Sequence, residues 1–165
     1  MRLVRPARHW LLRLANPARA VLLACAAMAV PAGTARAADG RLAVIISANA
    51  APTGGLSLEE LGQIYRRKQQ FLGSARVQPI NLPAQHPLRR FFSQQVLHKT
   101  PEDLEDYWRD QYFNGVSPPF VLASEEAMIR FVASTPGAVG YVSLCLADKR
   151  VAVVATIEGG PGCSK

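Results

Sequence analysis

The chain has 165 residues, 49% of them hydrophobic, and its 19 Lys+Arg against 12 Asp+Glu give a formal net charge of +7. Six of those basic residues and none of the acids fall in the first 37 positions, so the remaining 128 carry 13 basic and 12 acidic residues, a net +1. That near-neutral balance excludes a charge-driven nucleic-acid or membrane-surface binder. A span of 128 residues accommodates one domain with a core of its own.

The first 37 residues read as a secretory leader. Arg2, Arg5, Arg8, Arg13 and Arg19 form a basic n-region, Ala20 to Val30 is a short apolar run, and Ala35-Arg36-Ala37 is an A-x-A cleavage signal. The apolar run is shorter than the ~20 residues that cross a bilayer. Leu22-Leu23-Ala24-Cys25 has the look of a lipoprotein box, but only five residues separate Arg19 from Cys25, too few for an h-region. The expectation is cleavage after Ala37, a periplasmic location and a mature α/β domain over 38–158. Cys25 leaves with the leader, so Cys145 and Cys163 remain as a pair. In an oxidising compartment they form either a disulfide or two separate thiols.

Leu42 to Ile46 (LAVII) is a continuous run of branched residues, the pattern of a strand covered on both faces in a mixed or parallel sheet. A loop by composition follows over 47–55. Ser57-Leu58-Glu59-Glu60 is a capping box, and Leu58, Leu61, Ile64 and Tyr65 give the helix behind it an apolar stripe. Val77 to Leu82 predicts a second strand, in which Pro79 removes a ladder donor and argues for an edge or an irregularity. His86-Pro87 starts a second helix with apolar face Leu88, Phe91, Phe92 and Val96. Thr100-Pro101-Glu102-Asp103 starts a third, with Leu104, Trp108 and Tyr112 at helical spacing and Tyr107 beside them. Asn114-Gly115 and Pro118-Pro119 end it. The aromatic-rich stretch 88–119 is therefore expected to supply much of the core. Ser124 caps a fourth helix with the apolar stripe Ala127, Met128, Phe131 and Val132, stopped by Pro136-Gly137. Val139 to Val142 and Val151 to Val154 read as closing strands, and 159–165 (GGPGCSK) as a flexible tail. The predicted order is β-α-β-α-α-α-β-β, a mixed sheet flanked by about four helices.

Enzyme signatures are missing: there is no G-x-S-x-G, H-E-x-x-H, Walker A or G-x-G-x-x-G sequence, and no C-x-x-C. With two histidines beyond residue 37, His86 and His98, neither a metal site nor a cofactor is expected. The positive signal is anion recognition. Arg89 and Arg90 lie in the first turn of the second helix, where free backbone N–H groups favour negative charge and a guanidinium forks onto two oxygens. Two readings fit Arg89: a cleft-facing anion donor, or a surface arginine paired with Glu105 or Asp106. His86, before this helix, and Ser47 and Asn49, after the first strand, are further donors, because open α/β sheets gather ligands at the carboxyl ends of strands.

Several segments together resemble a known family. LSLEELGQIYRRK (56–68) is similar to a leucine/isoleucine-rich helix with a basic end in the phosphate-binding proteins of ABC transporters. RRFFSQQVL (89–97), YWRDQYFNG (107–115), PP (118–119) and PGAVGYV (136–142) resemble the small secreted members of that superfamily. The likeness covers about 42–155. It implies a type II periplasmic-binding-protein fold reduced to a single lobe, with Arg89 and Phe92 as the R-x-x-F pattern of the small proteins and Tyr141 as core of the returning strand. Two differences accompany it. Full members hold solute between two lobes, whereas 128 residues make about one. The Ser-Gly-Thr loop of full phosphate binders is replaced by Ala84-Gln85-His86-Pro87.

The resemblance implies a non-enzymatic, secreted phosphate- or oxyanion-binding protein with a membrane transporter or envelope protein as partner and no nucleic acid. The alternative is a periplasmic interaction or regulatory module whose ligand site is vestigial.

Overall fold

The computed structural model describes residues 40–50 and 54–163. The leader expected over 1–37 and its cleavage point lie outside the described residues, as do Ser164 and Lys165. The strands are β1 (Gly40–Ser47), β2 (Phe71–Leu72), β3 (Ala75–Arg76), β4 (Gln78–Asn81), β5 (Phe120–Val121), β6 (Ala138–Ser143) and β7 (Val151–Gly160). The helices are α1 (Leu58–Tyr65), α2 (Pro87–Phe92), α3 (Glu105–Phe113) and α4 (Glu125–Ser134).

Five strands form one mixed sheet in the order β5-β4-β6-β1-β7; β2 and β3 make a separate hairpin. The parallel half is β5-β4-β6, and β1 runs antiparallel to both β6 and β7. Leu42–Ile46 is buried on both faces, as its unbroken apolar run requires. On β6, neighbouring residues face opposite layers. Tyr141 packs on Tyr65 of α1 and Phe92 of α2. Gly140 meets α4, where a methyl group would fall 2.5 Å from Met128 Sδ and 3.0 Å from Val132 Cγ2. The sheet is thus sandwiched between α1 with α2 on one side and α4 on the other.

Local chemistry sets the helix ends. Ser57 and Glu60 close a reciprocal capping box at α1, and Ser124 caps α4. Thr100 and Asp103 exchange the same bonds ahead of a 3₁₀ turn (Glu102–Leu104) that leads into α3. α2 widens after Phe92 into a π turn over Ser93–Leu97, which ends at His98 in the left-handed region, φ 54°.

Several expectations are revised. β4 is interior to the sheet, yet Pro79 causes no loss. Gln78 N donates to Gly137 O on the β6 side, so the alternating Pro79 nitrogen faces the β5 side, where pairing begins only at Ile80. The hairpin β2–β3 turns on Gly73, whose φ of 58° suits glycine, and it was not anticipated. Nor was β5. The third helix carries less core than its stripe suggests: Leu104 is buried and Tyr107 and Trp108 are half-buried, but Tyr112 is 68% and Phe113 83% exposed. The large buried rings are instead Tyr65, Phe92 and Tyr141, of which only Phe92 lies in 88–119. Finally, the segment expected as a flexible tail starts inside the sheet. β7 runs to Gly160, which pairs with Gly40, and Cys163 is disulfide-bonded to Cys145 across 18 residues.

Two outcomes follow. Gly140→Ala should destabilise the domain by about 1–3 kcal/mol through overpacking against α4, measured by urea unfolding. Reduction of Cys145–Cys163 should lower unfolding free energy by about 3 kcal/mol, and a Cys145→Ser/Cys163→Ser variant should show that loss without reductant.

Candidate functional site

The polar centre of the lobe sits at the carboxyl end of β4. Phe92 stacks on Tyr141, with centroids 4.2 Å apart and planes 6° from parallel, and Tyr65 tilts against Phe92 at 4.5 Å. All three rings are buried, so the hydroxyls of Tyr65 and Tyr141 need partners. Tyr65 OH lies 3.2 Å from Ile80 O and 3.1 Å from Val139 O, sharing its proton between β4 and β6. Tyr141 OH donates to Asn81 Oδ1 and accepts from Leu82 N, each at 3.3 Å.

Arg89 enters this centre from α2. The residue is 7% exposed, its Nη1 is buried without a hydrogen-bond partner, and no ion pair among the described residues includes it. The pairing with Glu105 or Asp106 is therefore not what forms. Ser93, one helical turn on, is fully buried and its Oγ is also unpartnered. A guanidinium in this position carries a desolvation cost that no carboxylate among the described residues offsets. The tyrosines feel it. Burial pushes the Tyr141 hydroxyl up to about 12, against the opposing pull of the Arg89 charge. Burial pushes Tyr65 well above its ordinary range, with Tyr141 adding to the rise and Arg89 again opposing it.

The remaining expected donors are scattered. Arg90 points outward and pairs with Glu102 at 2.6 Å. His86 caps α2, its Nδ1 accepting from Leu88 N at 3.3 Å, and lines a cavity of about 140 Å³ with Leu88, Glu125, Ser143 and the Pro161–Cys163 segment. Within that cavity the Glu125 carboxylate accepts from Ser143 N. Ser47 donates to Ala133 O at 3.2 Å, and Asn49 is exposed in the 3₁₀ turn after β1. Both lie at the other end of the sheet from His86 and Arg89. The reason is strand direction: β1 is antiparallel to β6 while β4 is parallel to it, so the carboxyl ends of β1 and β4 point opposite ways. The expectation of one common edge assumed that these strands run together.

Asn81, Ser93 and Tyr65, which stand with Arg89 in this polar centre, were not among the expected donors, while Tyr141 is the core residue expected of the returning strand. Asn81 did leave a signal, a polar side chain at the end of the apolar run VQPINL. Among the described residues no group of three or more His, Cys, Asp and Glu side chains is placed to hold a metal, and no helix is long and apolar enough to cross a membrane.

With this geometry the fold matches solved binding proteins. An ABC-type phosphate transport receptor from Vibrio cholerae superposes with a TM-score of 0.57 at 22% identity, over 72% of this chain and 47% of the receptor. A putative phosphate ABC transporter substrate-binding protein with bound phosphate from Clostridium perfringens gives 0.58 at 20% identity, over 72% and 45%. PstS from Borrelia burgdorferi gives 0.55 at 20%, over 72% and 47%. The chain has the α/β fold of periplasmic binding proteins. It spans less than half the length of the solved structures it matches. Family models and curated proteins yield no match.

The raised tyrosines make stability pH-dependent. The unfolded chain loses these phenolic protons near pH 10 while the folded chain keeps them to higher pH, so the folded state binds more protons in that window and stability falls as pH rises. The loss should begin near pH 10 and continue to about 12 for Tyr141, at about 1.4 kcal/mol per unit for each tyrosine. Denaturant unfolding across that range checks it, and Tyr141→Phe should make the decline shallower.

Proposed function

We propose that this lobe is a secreted oxyanion-binding protein of the kind found as substrate-binding components of ABC transporters, with phosphate as its ligand. The observation that carries the reading is the buried Arg89, whose guanidinium has no counter-charge among the described residues. An anion at that point would satisfy Nη1, neutralise the charge and draw on the fork geometry that suits a tetrahedral oxyanion. His86, at the start of α2 and at the same end of the sheet, would add a donor through Nε2, since its Nδ1 is engaged by Leu88 N. Support comes from the neighbours in fold, which include an ABC-type phosphate transport receptor and a putative phosphate ABC transporter substrate-binding protein with bound phosphate. Export through cleavage after Ala37, and a membrane transporter component as partner, belong to the same proposal. The bonded Cys145–Cys163 pair accords with an oxidising compartment.

A second reading has its own observation. The cavity beside His86 holds a carboxylate, Glu125, and is walled by Pro161–Cys163, an environment that repels an anion. On this reading the lobe is an interaction or regulatory module in the envelope and Arg89 is a remnant.

Thermal unfolding with inorganic phosphate and sulfate separates the two. Phosphate at 100 times its Kd should stabilise the fold by about 2.7 kcal/mol, a melting shift of several degrees. Arg89→Met should abolish that shift. It should also raise the stability of the anion-free protein by about 1–3 kcal/mol, because an apolar chain replaces an uncompensated buried charge. Unmoved melting in both anions, or a shift that persists in Arg89→Met, removes the oxyanion reading and leaves the interaction module.

A further inference from the structure

A second site lies at the opposite end of the sheet, where nothing above assigns a function. A groove of about 460 Å³ opens between the end of α1, the β2–β3 hairpin, the start of β4 and the Ser117–Phe120 segment. Its size is that of a small-molecule pocket, which typically holds about 300–1,000 Å³. Arg67 and Arg76 line it, Gln78 and Ser117 add polar groups, and among the described residues no acidic side chain lines it. Neither arginine takes part in an ion pair among the described residues. The Nε of Arg67 is buried and has no hydrogen-bond partner.

The backbone at both arginines is constrained. Arg67 adopts a left-handed conformation, φ 61°, with its N–H donating to Ile64 O at 2.9 Å. Glycine would occupy this helix end with less strain. The Arg76 backbone lies in close approach to the start of β6. Its carbonyl oxygen lies 2.1 Å from where a Cβ on Gly137 would stand, and Gly137 has φ 78°. The other wall is apolar, with Pro119 and the exposed ring of Phe120. Two guanidinium side chains lining a groove that also carries Pro119 and Phe120 suit an anionic group carried on a flat apolar body.

We propose that this groove binds a small organic oxyanion, such as an aryl phosphate or aryl carboxylate, through Arg67 and Arg76. The site is independent of Arg89. Phenyl phosphate is the probe, added to the oxidised protein and followed by amide and guanidinium NMR shifts. Saturable shifts are expected at Arg76, Gln78 and Ser117, together with a downfield move of Arg67 Nε–H. Arg76→Gln, at an exposed position, should weaken binding about tenfold. Arg67→Gln combined with Arg76→Gln should abolish it. Arg89→Met should leave these shifts unchanged, whatever it does to inorganic phosphate. The proposal is overturned if the groove resonances do not move, or if they respond equally in the double variant. Equal affinity for inorganic phosphate also overturns it, because the apolar wall would then contribute nothing.

Discussion

Everything on the α1–α2 side of the sheet hangs on the contact between Phe92 and Tyr141. The stacked pair fixes the roll of α2 against β6, and Tyr65 wedges α1 into the same cluster. Because two of these rings carry hydroxyls, the cluster also ties down the sheet. Tyr65 bridges the carbonyls of Ile80 and Val139, on β4 and β6, and Tyr141 engages Asn81 and Leu82. Apolar area and strand registration are supplied by the same side chains. Fixing Phe92 also fixes Arg89, three residues earlier on the same face of α2, so the charge at the centre of the lobe has little freedom to leave.

Under the proposed function, that placement sets stability against binding. A lobe that only had to fold would carry methionine or leucine at position 89 and lose nothing. The unpartnered guanidinium, followed one turn later by the unpartnered Ser93 hydroxyl, is a departure from polar satisfaction in a core otherwise closely paired. Such departures concentrate where a protein meets a ligand. The tyrosines on either side of the charge keep their protons through the neutral range, so they present dipoles rather than a second charge.

The sequence displayed the architecture more clearly than the site. Capping boxes, the Pro87 start, the Gly137 stop and the unbroken LAVII run each act through near neighbours, and each appears where local chemistry puts it. The three-residue spacing of Arg89 and Phe92 correctly set them on one face of α2. What failed depended on contacts distant in sequence. Strand direction is not encoded in any run of residues, so Ser47 and Asn49 were grouped with His86, although the antiparallel course of β1 separates them. The stripe Leu104, Trp108, Tyr112 has helical period, but period does not say how deep a helix sits. α3 lies at the surface with its last aromatic residues in solvent. The tail was judged by composition, whereas β1 supplies the partner that makes β7 a ten-residue strand.

The bond between Cys145 and Cys163 changes how the lobe would respond to mechanical load. β7 is an outer strand held by β1 alone and, pulled from its far end, would otherwise peel away one hydrogen bond at a time. With Cys163 joined to the turn that follows β6, tension applied beyond it bypasses β7 and enters the molecule at Cys145. A fusion or tether attached there would drag on the interior of the sheet, where strands must shear together, instead of unzipping its border.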